Sequence, residues 1–516
     1  MAPMVAFLIA LAGLAGGAGP AHPFESGDPA TPQGRIDELV FARLEHLGLE
    51  PAGLCSDAVF IRRVHLDVLG TLPTAQETRA FLLDRRPDKR ALLIDRLLER
   101  EEFADYWSMK WADLLRIKAE FPINLWPNAV QTYHHWIHTS IRANRPYDQF
   151  VRRMLTANGS NFRVPEVNFF RATQGSQPQV IAQAVALTFM GARADKWPTE
   201  RLDGMAAFFS QLAFKSTGEW KEEIVYFDPA MPPPARAVFP DGVAAKLTPG
   251  QDPRDVFADW LIDPDNPWFT RNIANRIWAW LLGQGIIHEP DDIRPDNPPS
   301  HPELLTHLEK ELVTAKYDLK HLYRLILNST TYQLSCIPKT PNPQARANFA
   351  CYPLRRLEAE VLIDALNQIT GTAEKYSSPI PEPFTFVPEA YRAIEIADGS
   401  ITSPFLEMFG RPPRDTGLES ERTSNPTSAQ RLHMLNSSHI QRKIEQGPRL
   451  RAVLQSRKGP RQIATQLYLT ILNRFPTNEE FKTIDAYAQT SGLTARQAAV
   501  DLVWALINSA EFQYRH

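Results

Sequence analysis

Apolar residues recur at helical spacing between Phe269 and Leu281: Phe269, Ile273, Ile277, Trp280 and Leu281 fall on one face and predict a core-facing helix. Asn266 is a good N-cap and Pro267 suits the first helical position, so the helix is expected to begin there and to stop at the Gly283/Gly285 pair. Asn272, Asn275 and Arg276, with the polar run Asp291, Asp292, Arg294, Asp296 and Asn297, are then left to line a surface or cleft. A second helix is expected from Ser300, whose hydroxyl would cap it while Glu303 closes a capping box.

The same period governs residues 35–103, and one junction there returns near the far end of the chain. Leu66 to Glu77 (LDVLGTLPTAQE) lines up with Leu469 to Glu480 (LTILNRFPTNEE), and both segments run on to a helix ending in Glu-Phe, at Phe103 and Phe512. Matching apolar flanks favour an internal repeat of a small helical unit over a chance reuse of the helix start Pro-Thr-x-x-Glu. Thr74 and Thr477 are expected to cap the following helices, with Glu77 and Glu480 completing the boxes. Only Glu222 to Phe227 reads well as a strand, and Met231 to Pro253 is a proline-rich connection. The expected fold is therefore mainly α, a multi-helix, two-domain architecture with long proline-rich loops and at most a small β element near 222–227. Its segments are a signal peptide at 1–21, a helical domain at 32–214, the strand and linker at 215–253, and a second helical domain at 254–516.

Composition narrows the classes. The 43 prolines in 516 residues exceed the usual share of roughly 5%, which fits rigid loops between helices rather than one continuous bundle. A net charge of −3 argues against a nucleic-acid partner of the usual basic kind. Val5 to Leu14 is an apolar stretch followed by small residues up to Ala18 and Ala21, the pattern of an export signal, although the Lys or Arg of a typical n-region is missing. The expected location is periplasmic or extracellular, with no transmembrane span in the mature chain. His134 and His138 stand one helical turn apart without the Glu of an H-E-x-x-H site, so a packed or solvated pair is expected and no metal. The tryptophans between Tyr106 and Trp136 are read as core, with a sugar-binding surface as the functional alternative.

Several ordered motifs carry a family resemblance. The stretch Asp263 to Glu303, Tyr317-Asp318-Leu319-Lys320-His321-Leu322, Leu327 to Ser335, Arg355-Arg356-Leu357-Glu358-Ala359-Glu360 and Phe409-Gly410-Arg411-Pro412 resemble the planctomycete domain of unknown function 1553. Phe60 to Asp67, Asp88-Lys89-Arg90, Trp107 with Trp111-Ala112-Asp113, and Arg145-Pro146-Tyr147-Asp148 resemble its usual partner, the cytochrome-associated domain of unknown function 1549. The resemblance implies architecture and export rather than a reaction. It also implies a haem-attachment-like Cys-x-x-Cys-His between Phe189-Met190-Gly191 and Trp197, yet here stands Ala192-Arg193-Ala194-Asp195-Lys196. Covalent attachment needs two thiols and a histidine, so no cofactor is expected. A Cys-x-Cys-Glu-Arg motif implied for the second half survives only as Glu421-Arg422. Of the three cysteines, Cys336 and Cys351 are spaced to close a loop in an oxidising compartment.

Three functions stay open. The favoured one is a non-catalytic exported scaffold that binds an envelope protein or polysaccharide. The second is a polysaccharide-active enzyme using paired carboxylates such as Asp292 and Glu421, which would have to stand roughly 5 to 9.5 Å apart. The third is a redox-associated protein that has lost its own haem. The candidate polar cluster is Asn272, Asn275, Arg276, Asp291, Asp292, Asn297, Glu419, Glu421 and Arg422. Its competing role is structural, as buried salt bridges tying loops to helices. On that view Arg276 is expected to matter for stability, and Glu419, on an irregular segment, is expected to be replaceable.

Overall fold

The structure is a computed structural model that describes residues 23–516 except 386, 388–390 and 491. The export stretch at 1–21 lies outside the described residues. The protein is mainly α, with two small sheets among the described residues. Glu223–Phe227 is the expected strand. It forms the centre of an antiparallel three-stranded sheet, flanked by Leu212–Ser216 and by the short strand Gly159–Ser160. The flanking strands escape a sequence reading because Leu212–Ser216 opens straight after a helix-like run and Gly159–Ser160 is only two residues long. The second sheet pairs Arg355–Arg356 with Tyr514–Arg515.

A single apolar cluster runs from Ile36 to Phe512, so the two sequence segments share one core. The repeated units contribute directly to that union. The first consists of helices Asp57–Leu69, Ala75–Leu83 and Lys89–Leu98, and the second of Pro460–Ile471, Asn478–Thr490 and Ala495–Ile507. The aligned residues Gly70 and Asn473 both adopt the left-handed conformation, at φ 60° and 57°. This backbone match is independent of the sequence pattern that suggested the repeat. Thr74 and Glu77 form a complete capping box, and the amides of Thr477 and Glu480 bond reciprocally to the Glu480 and Thr477 side chains at 2.7 and 3.2 Å. The units dock turn to turn: Arg62 donates to Asn473 Oδ1 at 2.8 Å and to the Phe512 carbonyl at 2.7 Å, and Asn473 Nδ2 donates to the Pro73 carbonyl.

Two helix starts differ from expectation. The helix Phe269–Leu282 begins two residues later than Pro267, because Asn266 Oδ1 accepts from the amides of both Trp268 and Phe269 and holds the chain in a turn first. Its end at Gly283, φ 70°, is as expected. Ser300 caps no helix: its hydroxyl donates to the Ile286 carbonyl at 3.1 Å, and the next helix starts at Pro302 without a side-chain cap. The sequence pattern S-x-x-E is present, but the Ile286 carbonyl competes for the serine and no capping box forms. Cys55, Cys336 and Cys351 are all free thiols.

Candidate functional site

The site is built on three helices whose polar positions recur on one face. In Glu101–Leu114, Tyr106, Lys110 and Asp113 follow at i, i+4 and i+7. In Phe269–Leu282, Asn272, Arg276 and Trp280 follow at successive turns. Helix Ala359–Thr370 presents Glu358 at its N-cap and Glu360 in its first turn, where the helix dipole favours negative charge. The loop 410–422 closes over all three.

Arg276 and Asp291 form the deepest pair, 2.7 Å apart with side-chain exposures of 1% and 0%. The second oxygen of Asp291 accepts the Glu419 amide at 2.6 Å, and Glu419 Oε2 lies 3.6 Å from Arg276. Trp280 Nε1 donates to both Glu419 oxygens at 3.2 Å. The two polar loops therefore meet. Beside them Asp113 receives Arg414 at 2.9 Å and Arg422 at 2.7 Å, while Arg422 reaches on to both oxygens of Glu360 at 2.7 and 3.0 Å. Arg411 lies 3.5 Å from Glu360. Lys110 pairs with Glu358, which also accepts from Tyr106 Oη at 2.9 Å and Arg515 at 3.1 Å. Asp67 ends the chain of contacts, accepting from Tyr332 and Tyr352 hydroxyls and from Arg515 and Arg355.

For Asp113, Glu358, Arg276, Glu419 and Glu421 the balance between burial and charged partners sets the direction. Burial pushes the Asp113 carboxyl up, but Arg422 and Arg414 outweigh it and hold it below the usual range. Burial likewise opposes charging of Glu358, and Lys110 with Arg515 keep it well below the usual range. Burial lowers the Arg276 guanidinium, and Asp291 and Glu419 more than restore it. For Glu419 burial wins over Lys110 and Arg276, so its carboxyl is raised. Burial also raises Glu421, against a hydrogen bond from Thr416.

The expected surface residues separate into two groups. Asn272, Asn275, Arg276 and Asp291 are buried and line no surface, a correction to the sequence reading. Asn272 donates to the Thr188 carbonyl and Asn275 exchanges two bonds with Ile287, so both amides satisfy backbone that the loop leaves open. Asp292 and Asn297 lie outside the network: Asp292 pairs with Arg294, which is half exposed, and Asn297 donates to the His288 and Asp292 carbonyls. Glu421 accepts from the Thr416 amide at 2.7 Å, and its Oε2 is buried without a partner. Glu419 does not stand free on an irregular segment: its short 3₁₀ turn is hydrogen-bonded to Asp291 and Trp280 and faces Arg276 at 3.6 Å.

Asp67, Asp113, Glu358, Glu360 and Arg411 were missed as site residues. Each stands inside a motif that carries the family resemblance, and that was the available signal. Elsewhere His138 pairs with Asp105 at 3.0 Å, and His134 Nε2 is buried and unpartnered. The segment 191–193 packs on the helix-to-loop stretch: Ile293 donates to the Gly191 carbonyl at 2.8 Å and Arg193 faces Glu289 at 3.6 Å. Gly191 has φ 61°, and a Cβ there would meet Asn272 Oδ1 at 2.7 Å and the Pro290 carbonyl at 2.9 Å.

This geometry defines a helical protein of two interlocked sequence segments. Residues 35–212 match the family PSCyt2, protein of unknown function (DUF1549), and residues 253–488 match PSD1, protein of unknown function (DUF1553). The chain belongs to these paired families. No curated protein and no solved structure matches it. Among the described residues no helix is long and apolar enough to cross a membrane.

Proposed function

We propose that the protein is an exported, non-catalytic helical scaffold of the cell envelope that presents binding surfaces to an envelope protein or polysaccharide. One observation carries this reading: Arg276, Asp291, Glu419 and Arg422 of the two loops are engaged in buried polar contacts, and Arg422 with Arg414 joins the second segment to the first. Asp113 of the first segment holds Arg414 and Arg422 of the second, and Arg422 passes the contact to Glu360. Carboxylates saturated by guanidinium donors serve cohesion better than proton transfer. Export rests on the apolar stretch Val5 to Leu14. Fractionation of native cells tests the reading. The protein should appear in the periplasmic or extracellular fraction with an N-terminus near Gly19 or His22 and should co-purify with envelope material. An intact Met1 in the cytoplasm would overturn it.

A second reading, a polysaccharide-active enzyme, is favoured by one feature: Glu421 has a raised carboxyl and one buried, unpartnered oxygen. A raised carboxyl is one requirement of a general acid. Release of reducing ends from any polysaccharide, abolished in Glu421→Gln with folding intact, would install this reading in place of the scaffold.

A further inference from the structure

Three separate chain segments bring aromatic rings to one exposed corner, away from the buried network. The loop 118–126, closed by the Leu125 amide on the Lys118 carbonyl and the Trp126 amide on the Ala119 carbonyl, supplies Trp126. The turn between strands Leu212–Ser216 and Glu223–Phe227 supplies Trp220, 69% exposed. The turn 381–385, closed by the Phe384 and Thr385 amides on the Pro381 carbonyl, supplies Phe384, 54% exposed. Trp126 stands 6.3 Å from Trp220 and 5.8 Å from Phe384 between ring centroids. The Lys221 ammonium lies 5.4 Å from both indole centroids. Trp126 and Lys221 hold left-handed backbone at φ 72° and 61°, a conformation unfavourable for residues with a side chain and retained where surrounding structure imposes it.

We infer that this corner is a binding site for a neutral polysaccharide chain, an inference that rests on the reading of the protein as a binding component. Trp220 and Phe384 leave two large rings in water beside the half-buried Trp126, which is costly unless something covers them. Sugar rings present weakly positive C–H groups that lie on the electron-rich faces of indole and phenyl rings. Their hydroxyls need donors and acceptors together, and the corner supplies both. The Lys221 ammonium lies over the two indole rings, and Glu219, next to Trp220, and Glu382, two residues before Phe384, are exposed. The loops 118–126, 217–222 and 381–385 carry Lys118 and Lys221 against Glu120, Glu219, Glu222 and Glu382, a balance that gives no positive field for an anionic polymer. The same carboxylates oppose insertion into a lipid surface, where charge is expensive. Carboxylates this near in sequence to the exposed rings also disfavour a protein interface, whose core is depleted of charged residues.

The test uses the full mature chain in native gels containing hydroxyethylcellulose, xylan, mannan or laminarin, with alginate as the anionic comparison. At least one neutral polymer should retard the protein and shift its tryptophan emission to the blue. Trp220→Ala and Phe384→Ala should each weaken retardation roughly tenfold, with melting temperatures unchanged because both side chains are exposed. Leu83→Ala, an exposed leucine on another element, should bind as wild type. Retardation by none of the neutral polymers, or full retardation of Trp220→Ala, would overturn the inference. So would binding to alginate alone, sedimentation with liposomes, or Trp220-dependent capture of a protein in place of glycan. If the chain co-purifies with envelope material but no polymer retards it, the scaffold reading stands and the glycan site fails.

Discussion

Replacing Arg276 by alanine isolates what the buried network contributes. The Arg276–Asp291 pair is 2.7 Å long and nearly inaccessible to water. At that separation an effective dielectric constant of about 20 gives an attraction of about 6 kcal/mol, most of which offsets the desolvation of the two ions. Removing the arginine keeps the desolvation cost of Asp291 and loses the attraction, which costs about 3 to 5 kcal/mol. The Glu419 amide still donates to Asp291, so the loop retains one anchor. With an unfolding entropy of about 2.1 cal/mol/K per residue, a cooperative chain of this length has an entropy near 1.1 kcal/mol/K, so the melting temperature should fall by about 3 to 5 °C. Calorimetry or circular dichroism at pH 7.5 measures it. The double variant Arg276→Met, Asp291→Leu should lose less than the sum of the two single changes, since no charge is left unpaired. A fall below about 1 °C for Arg276→Ala, with native secondary structure, would refute the reasoning.

Three further outcomes are expected. Glu419→Ala should lower the melting temperature, though by less than Arg276→Ala, because the partly exposed carboxylate is screened on one side. Gly191→Ala should cost roughly 2 kcal/mol or more, read by denaturant unfolding, because φ 61° and the close approach of Asn272 and Pro290 leave no room for a methyl. Burial, with a smaller contribution from Arg43, lowers His301 to about 4. A histidine depressed in the folded state takes up a proton on unfolding, so its stability contribution is complete above pH 6.5 and is lost as pH falls toward 4. At pH 5 this amounts to about 2 kcal/mol, and His301→Phe should flatten the acid limb of the melting temperature against pH.

Much of the fold was legible because it rests on local rules. The apolar spacing of Phe269 to Leu281, the glycine stop at Gly283 and the paired capping boxes at Thr74 and Thr477 all depend on residues within one or two turns. What stayed hidden depends on partners far along the chain. Ser300 looks like a cap until the Ile286 carbonyl competes for it. Arg276 and Asn275 look like a polar face until the 410–422 loop and Ile287 cover them. Of the candidate cluster, Arg276, Asp291, Glu419 and Arg422 meet in the network, whereas Asp292 and Asn297 hold their own loop. Polarity marked these residues as special, but it could not say whether water or protein would surround them.

The central claim is that the polar residues of the family motifs lock the two segments into one structural body. Differential scanning calorimetry of wild type and Asp113→Asn tests it most directly, because Asp113 lies in the first segment and its partners Arg414 and Arg422 lie in the second. Wild type should unfold in one transition whose calorimetric and van't Hoff enthalpies agree, and Asp113→Asn should move that whole transition to lower temperature. Two resolved transitions in wild type, or a variant in which only one of two transitions moves, would contradict the account.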